Sequence, residues 1–316
     1  MKIVIPGGSG QVGTLLARAF TKEGHEVVVL SRTPTQAAWR VVPWDACSLG
    51  DWIEELERAD AVINLAGRSV NCRYGSENRR SILESRLNST RVLGKAISLT
   101  KVPPRVWLQS STATIYSHRY DQPNDEMTGI IAGSERGAPD TWRFSIEVAK
   151  AWEQILDEAV TPHTRKVALR SAMTMSPDKG GIFDVLLNLV RFGLGGHSGD
   201  GLQYVSWIHD EDFIRAIHLL INDESFVGPV NLAAPNPLPN IDFMRALRKA
   251  WGQPIGLPAT EWMLEIGAVM LCTETELILK SRRVIPGKLT RKGFTFNFPH
   301  WPEAARDLCQ RWRHQQ

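Results

Sequence analysis

The chain begins MKIVIPGGSGQVG: an apolar run from Lys2 to Ile5 gives way at once to glycines, then to a helix-like pattern from Val12 to Phe20. The glycines satisfy two phosphate-loop spacings, Gly8-x-Gly10-x-x-Gly13 and Gly7-x-x-Gly10-x-x-Gly13. In such a loop the first glycine takes a backbone angle that side chains avoid. The second lets a pyrophosphate approach the backbone, and the third lets the helix pack on its strand. The pyrophosphate rests on unpaired N–H groups at the positive end of the helix. Gly7, Gly8, Ser9, Gly10, Gln11, Val12 and Gly13 are therefore expected to form a dinucleotide-binding loop. A tight turn without ligand is the alternative, and the strand–turn–helix context favours the ligand.

HEVVVL (His25 to Leu30) supplies the second strand. An NAD-binding unit usually ends this strand with an acidic residue that holds the ribose 2′-OH. Here Ser31-Arg32 follows instead. A carboxylate there would repel a 2′-phosphate, whereas a guanidinium grips it with two hydrogen bonds. The cofactor expected is NADP(H), unless Arg32 is an ordinary solvated cation. Asp45, after a third strand-like run from Arg40 to Trp44, is a candidate acceptor for the adenine amino group.

Strands and helices alternate through the first half. A helix near Leu49–Arg58 precedes a strand over Ala59–Gly67. A long helix (Glu77–Leu99), a strand (Arg105–Ser111), a polar loop (Ser117–Pro139), a helix (Trp142–Ala159) and a closing strand (Lys166–Arg170) follow. This alternation predicts an α/β fold, a Rossmann-like, doubly wound parallel sheet with helices on both faces. The second half has a Gly-rich stretch (Gly193–Gly201), a Pro-rich one (Pro229–Pro239) and helical patterns to the end. It is expected to be a smaller, mostly helical substrate-side region. The division expected is a nucleotide-binding domain over 1–232, with 175–205 contributing to the substrate side, and a helical domain over 233–316. A net charge of +3 with scattered basic residues gives no nucleic-acid signature. With no long apolar run, no membrane partner is expected. With a strand expected from Lys2, no signal peptide is expected. Cys47, Cys72, Cys272 and Cys309 are too dispersed for a CxxC motif and read as free thiols of a cytoplasmic protein. No spacing suggests a metal site.

Beyond the glycine loop, the chain carries Asn64-Leu65-Ala66-Gly67 and Ser110-Ser111-Thr112-Ala113-Thr114-Ile115-Tyr116 after successive strands. Arg73-Tyr74, Ser85-Arg86, Trp152-Glu153, GLGGHSGDGLQYVSWIHDED (Gly193–Asp212), NLAAPNP (Asn231–Pro237), VIPGKL (Val284–Leu289) and GFTFNFP (Gly293–Pro299) follow in order. In these segments it resembles, essentially end to end, the extended short-chain dehydrogenase/reductase superfamily. The resemblance is to its atypical "epimerase family protein" branch, which carries a C-terminal domain of unknown function. It implies an NADP-binding fold with Ser31-Arg32 as the 2′-phosphate site and Leu65, Ala66 and Gly67 lining the cofactor. It also implies that Arg86 reaches the cofactor, and that Ser110 and Thr174 lie near it. The helices Leu87–Leu99 and Ser145–Ala159 correspond to the superfamily's usual dimer seam, which suggests a homodimer.

Short-chain reductases act through a Tyr-x-x-x-Lys pair on one helical face, with a hydroxyl from the preceding strand. The phenol is the general acid or base, and the ammonium lowers its pKa and holds the nicotinamide ribose. Thr112 fills the hydroxyl position. Aligned on Glu153-Gln154-Ile155-Leu156, the Tyr position is Ser145 and the Lys position Ala149, so the usual relay is missing. Lys150 is turned about 100° round the helix from that position. Tyr116, the phenol nearest Thr112 in sequence, is the candidate acid, although a packed loop tyrosine reads the same way. His209 in the Trp207-Ile208-His209-Asp210 run is the other candidate acid, since histidine is the general acid–base side chain of neutral pH, and a structural histidine beside Asp212 is the stronger reading. Arg191, with Gln203 and the Gly195-Gly196 turn, is a candidate clamp for an anion or carbonyl, or else a surface arginine beside a connector. Trp207 is a candidate pocket residue.

Two functions fit. One is an NADP(H)-dependent oxidoreductase acting on an unidentified small carbonyl or hydroxyl compound through Thr112 and a non-standard acid. The other is an NADP(H)-binding protein without turnover that reports redox state to a partner, as the resemblance to relatives linked with division suggests. The missing pair weighs most against a sugar-nucleotide epimerase, which must take a hydride out and return it.

Overall fold

Successive residues of the strand-forming runs are apolar, the pattern of a parallel sheet buried on both faces. A computed structural model of the chain describes residues 1–133, 135, 137–260, 263 and 274–315, so Cys272 lies outside the described residues. The strands are β1 (Lys2–Pro6), β2 (Glu26–Ser31), β3 (Arg40–Pro43), β4 (Ala61–Asn64), β5 (Val106–Thr112), β6 (Arg165–Ser171), β7 (Met173–Met175), β8 (Tyr204–Val205), β9 (Trp207–His209), β10 (Gly228–Leu232) and β11 (Leu238–Pro239). Seven of them form one parallel sheet in the order β10-β6-β5-β4-β1-β2-β3. Short pairs β7·β9 and β8·β11 lie outside it.

The helices are α1 (Gln11–Lys22), α2 (Ser76–Leu99), α3 (Asp140–Glu158), α4 (Ile182–Arg191), α5 (Asp210–Asn222), α6 (Asn240–Trp251), α7 (Glu276–Leu279), α8 (Gly287–Arg291) and α9 (Trp301–His314). Strand side chains alternate between two cores with the two-residue period of the pleat. Ile3, Ile5, Val27 and Val29 pack on one side with Leu16 and Phe20 of α1 and Phe213 and Ile217 of α5. Val4, Val28, Val62 and Trp107 pack on the other with Leu93 and Ile97 of α2 and Leu156 of α3. This is the doubly wound sheet. No helix among the described residues is long and apolar enough to cross a membrane.

Two expected elements differ. The helix expected near Leu49–Arg58 is a short 3-10 segment, Asp51–Leu56. The strand series does not close at β6, because β10 adds parallel to it at the sheet edge. Pro229 sits second in β10, and an edge strand tolerates the missing N–H. A third core joins Phe183 and Leu187 of α4 and Trp207 of β9 to Phe243 and Leu247 of α6 and Trp301 and Leu308 of α9.

Candidate functional site

The sheet order reverses between β1 and β4, and ligands of such sheets bind at the carboxyl ends of the strands beside that switch. A groove of about 670 Å³ lies there. Gly7, Ser9 and Gly10 line it after β1, Ser31 and Arg32 at the end of β2, Asp45 after β3, and Leu65, Ala66 and Gly67 after β4. The glycines divide the work as their spacing predicts. Gly7 has φ of +74°, and a Cβ there would lie 2.6 Å from the Ala66 nitrogen. A Cβ on Gly10 would meet only the Gly7 carbonyl, at 3.7 Å, so the groove stays open over the start of α1. A Cβ on Gly13 would lie 2.4 Å from the Gly8 Cα, which fixes α1 against the turn.

The other loop residues face elsewhere. Gly8 packs on Ile5 and Val29, Val12 joins the core, and Gln11 turns its amide onto Gly181. Arg32 is exposed at the rim of the groove, and no carboxylate among the described residues pairs with it. The buried Ser31 hydroxyl bonds to Ser9 Oγ at 3.2 Å and to the Thr33 carbonyl at 3.1 Å, tying β2 to the glycine turn. Asp45 holds its own turn. It accepts the Cys47 and Ser48 N–H groups at 2.8 Å each and the Ser48 hydroxyl, and these bonds hold its carboxyl down at about 2.

Leu65 and Gly67 also line a second, smaller cavity of about 230 Å³, which adjoins the groove there. Ser110 and Thr112 of β5 line this pocket, with Ser145, Ala149 and Trp152 from one face of α3. Lys150 faces outward into a separate cleft with Glu153 and Asp157, so it is turned away as the helical angle predicts. Thr112 Oγ1 accepts the Thr114 N–H at 3.1 Å, which leaves the hydroxyl hydrogen free to donate. Arg86 of α2 lines the pocket, stacks over Trp152 at 4.9 Å, and donates to the Arg68 and Ile82 carbonyls. Burial lowers its pKa to about 10, so it stays charged near neutrality. Among the described residues no carboxylate pairs with it.

Two pocket residues escaped the sequence reading. Tyr74, before α2, packs edge-on against Phe144 at 5.2 Å. Burial and the nearby Glu276 carboxylate push its phenol up to about 12, and the Ser145 hydroxyl is its hydrogen-bonding neighbour. Glu276, at the start of α7, is 1% exposed and accepts from Ser145 Oγ at 2.5 Å. Tyr74 was visible only inside the Arg73-Tyr74 motif. Glu276 carried no signal, since its partner lies 131 residues away.

Several expected residues lie elsewhere. Tyr116 does not line the pocket: it is 2% exposed, its hydroxyl donates to Asn231 Oδ1 at 2.9 Å and accepts from Arg170 at 2.9 Å. Burial raises its pKa. Arg170 also grips Glu153 through two hydrogen bonds, so Tyr116 belongs to a packed polar network and not to an acid site. His209 is fully buried and stacked on Phe298 at 3.8 Å. Its Nε2 bonds to Asp307 and its Nδ1 accepts the Glu211 N–H, capping α5, so it is a structural histidine. Its partners are these rather than Asp212, whose carboxylate accepts the Asn297 and Phe298 N–H groups.

Arg191 is exposed and stacks over Trp312 at 4.6 Å, and Gly195 and Gly196 are bonded to Arg248 and Leu257. Trp207 is a core residue, edge-on to Trp301. Gln203 is buried and donates to the Ser198 and Ile278 carbonyls. Thr174 is buried in β7 opposite Ile208. Glu23, His25 and His218 converge within 4.8 Å although no sequence spacing announces them. Glu23 pairs with His218 at 2.8 Å.

Comparison with known proteins fits this geometry. Residues 3–135 match the model of the NAD dependent epimerase/dehydratase family, and residues 259–308 match a domain of unknown function, DUF1731. The chain is 30% identical over 304 residues to the epimerase family protein YfhF of Bacillus subtilis, covering 94% of each. The crystal structure of human epimerase family protein SDR39U1 (isoform 2) with NADPH superposes with a TM-score of 0.85 at 26% identity, over 98% of this chain and 99% of that one. A nucleoside-diphosphate sugar epimerase of Corynebacterium glutamicum superposes with a TM-score of 0.74 at 26% identity, over 98% of this chain and 58% of that one. At 30% identity over 94% of both chains, the chain belongs to the epimerase family proteins, with an NAD dependent epimerase/dehydratase domain followed by DUF1731.

Proposed function

We propose that the chain binds NADP(H) in the larger groove and uses it to interconvert a small carbonyl compound and its alcohol in the adjoining pocket. The adjacency of groove and pocket, which share Leu65 and Gly67 in their walls, carries this reading. Gly7 and Gly10 keep the loop open to a pyrophosphate over the start of α1, where Gly10 offers no side chain to cap the helix. Ser31 and Arg32 face a 2′-phosphate, and the human relative crystallised with NADPH supports that choice over NAD(H). When bound, the cofactor supplies or accepts a hydride. Thr112 donates its free hydroxyl hydrogen to the substrate oxygen, while Arg86 places a positive charge in the same cavity.

The size of the pocket bears on the substrate. Cavities for drug-sized ligands are typically about 300–1,000 Å³, and this one is about 230 Å³, walled by Val70, Ile82, Phe144 and Val148. It suits a compact carbonyl compound rather than a whole nucleotide sugar. Ala149, which places no ammonium in the pocket, favours the second reading, an NADP(H)-binding sensor without turnover.

The test is NADPH and NADH binding by the wild type and Arg32→Ala. Losing charge-assisted bonds worth about 1.5–3 kcal/mol weakens NADPH binding about 10- to 100-fold. NADH affinity should stay unchanged. Equal affinity for the two cofactors in the wild type would overturn the 2′-phosphate assignment. Oxidation of NADPH with a panel of small carbonyl compounds then separates enzyme from sensor.

A further inference from the structure

The family's missing tyrosine leaves Ser145 in the pocket, and a serine hydroxyl is too weak an acid to protonate a substrate oxygen unaided. Ser145, however, does not act on its own. Its hydroxyl donates at 2.5 Å to Oε2 of Glu276, and its other hydrogen-bonding neighbour is the Tyr74 phenol. Glu276 comes from the C-terminal domain, across the cavity from β5 and α3, and is itself part of the pocket wall. The segment around it is held down on both sides. Glu274 accepts the Tyr74 N–H at 2.6 Å, Lys280 donates to the Thr114 carbonyl at 2.7 Å, and Arg282 donates to Thr114 Oγ1 at 3.0 Å.

We propose that Glu276 is the proton donor and acceptor of this site, acting through the Ser145 hydroxyl, and that the C-terminal domain thereby completes the reaction pocket. This rests on the oxidoreductase reading above. In the reducing direction the protonated Glu276 carboxyl donates to Ser145 Oγ, reversing their hydrogen bond. The Ser145 O–H bond, now turned to the substrate, breaks as its proton passes to the substrate oxygen. A new O–H bond forms at Ser145 with the proton of the Glu276 carboxyl. The carboxylate left behind recovers a proton from solvent, and the reverse sequence serves oxidation. The hydride is the cofactor's contribution. Tyr74 is a positioning residue, the other neighbour that holds Ser145.

The electrostatic surroundings hold the Glu276 carboxyl above its ordinary value, which favours its proton-carrying form. Burial raises the pKa of Glu276, and Glu274 adds to the rise. Arg282, 3.5 Å from Oε1, the Ser145 hydrogen bond and Lys280 oppose it. Tyr74 and Arg86 face it from the loop before α2 and from α2. A carboxyl whose pKa folding raises favours the folded state fully below its ordinary value of 4.5. That contribution is lost as pH rises through the folded-state value.

The experiment compares the wild type with Glu276→Gln, which keeps shape and acceptor, and with Ser145→Ala, with an unfolding curve of each variant as the control for folding. Thermal unfolding across pH needs neither cofactor nor substrate. The Tm of Glu276→Gln should gain on that of the wild type as pH rises, and superimposable curves would overturn the proposal. In NADPH oxidation both variants should lose at least about 100-fold in kcat/KM, the scale of general acid–base catalysis, with NADPH affinity kept. The limb of the wild-type pH profile that reports the acid should disappear in Glu276→Gln. Wild-type turnover that survives Glu276→Gln overturns the acid role alone. A wild type that binds NADPH but reduces none of the carbonyl compounds overturns the oxidoreductase reading, and the acid role with it.

Discussion

The nucleotide groove and the reaction pocket share two residues and differ in how the chain builds them. All the residues lining the groove fall between Gly7 and Asn88, in the turns after β1, β2, β3 and β4 and on α2. The pocket draws on residues from Leu65 to Glu276. The groove works mainly through backbone: a positive φ, a missing Cβ, the N–H groups at the start of α1. Those demands can only be met by glycines at fixed spacing, so they leave a mark in the sequence. The pocket works through side chains brought together across the fold, and almost any local sequence can deliver a glutamate or a serine.

Substitution in the glycine turn offers the largest effect and the sharpest test of this contrast. A Cβ on Gly13 meets Gly8 backbone atoms at 2.4 to 2.7 Å, and backbone cannot yield as a side-chain tip does. Gly13→Ala should lower stability by about 1–3 kcal/mol, the usual cost of overpacking. It should also weaken NADPH binding, because the relief must come from movement of the loop that holds the pyrophosphate. Calorimetric titration and thermal unfolding measure both. Full affinity in Gly13→Ala would mean that the groove does not depend on backbone contact.

The limits of the sequence follow the same division. β1, β2, α2, α3 and β5 are legible because apolar periodicity and turn residues are local. β10 is hidden because Gly228-Pro229 reads as a loop, and pairing with β6 turns it into an edge strand. His209 and Tyr116 sit in runs that look catalytic. The residues that occupy them, Asp307 and Asn231, lie 98 and 115 positions away. Trp207 and Thr174 look like pocket residues for the same reason, and they are buried where β7 pairs with β9. Ser145 was recognised as a departure from the family pattern. Its partner Glu276 was not, because the contact exists only after the C-terminal domain docks.

Tyr116→Phe separates the two phenols of the substrate side and has a middling effect. It removes the partner of Asn231 Oδ1 and of Arg170 Nη1, both in buried residues, while Glu153 still holds the rest of the guanidinium. A buried polar group left unpaired costs about 1–3 kcal/mol. Denaturant unfolding should show that loss, while kcat/KM for NADPH oxidation stays at the wild-type value. A collapse of turnover with stability intact would return Tyr116 to the acid role and place the reaction on the far side of β5.

Arg191→Ala should change least, and it tests where the pocket ends. The guanidinium stacks over Trp312 at 4.6 Å and over Trp251 at 5.8 Å, and bonds to Asn188 at 2.9 Å within its own helix. These contacts bind α4 to α9 and to the end of α6, an interface remote from Thr112 in the chain and absent from the pocket wall. Exposed cation–π contacts are worth about 0.5–1 kcal/mol, so the unfolding free energy should fall by that much, seen as a lower urea midpoint with an unchanged slope. Turnover and its pH profile should not move, because no proton passes this way. A fall in kcat/KM without a fall in stability would mean that α4 reaches the substrate, and that the cavity walled by α2, α3 and α7 is only part of the site.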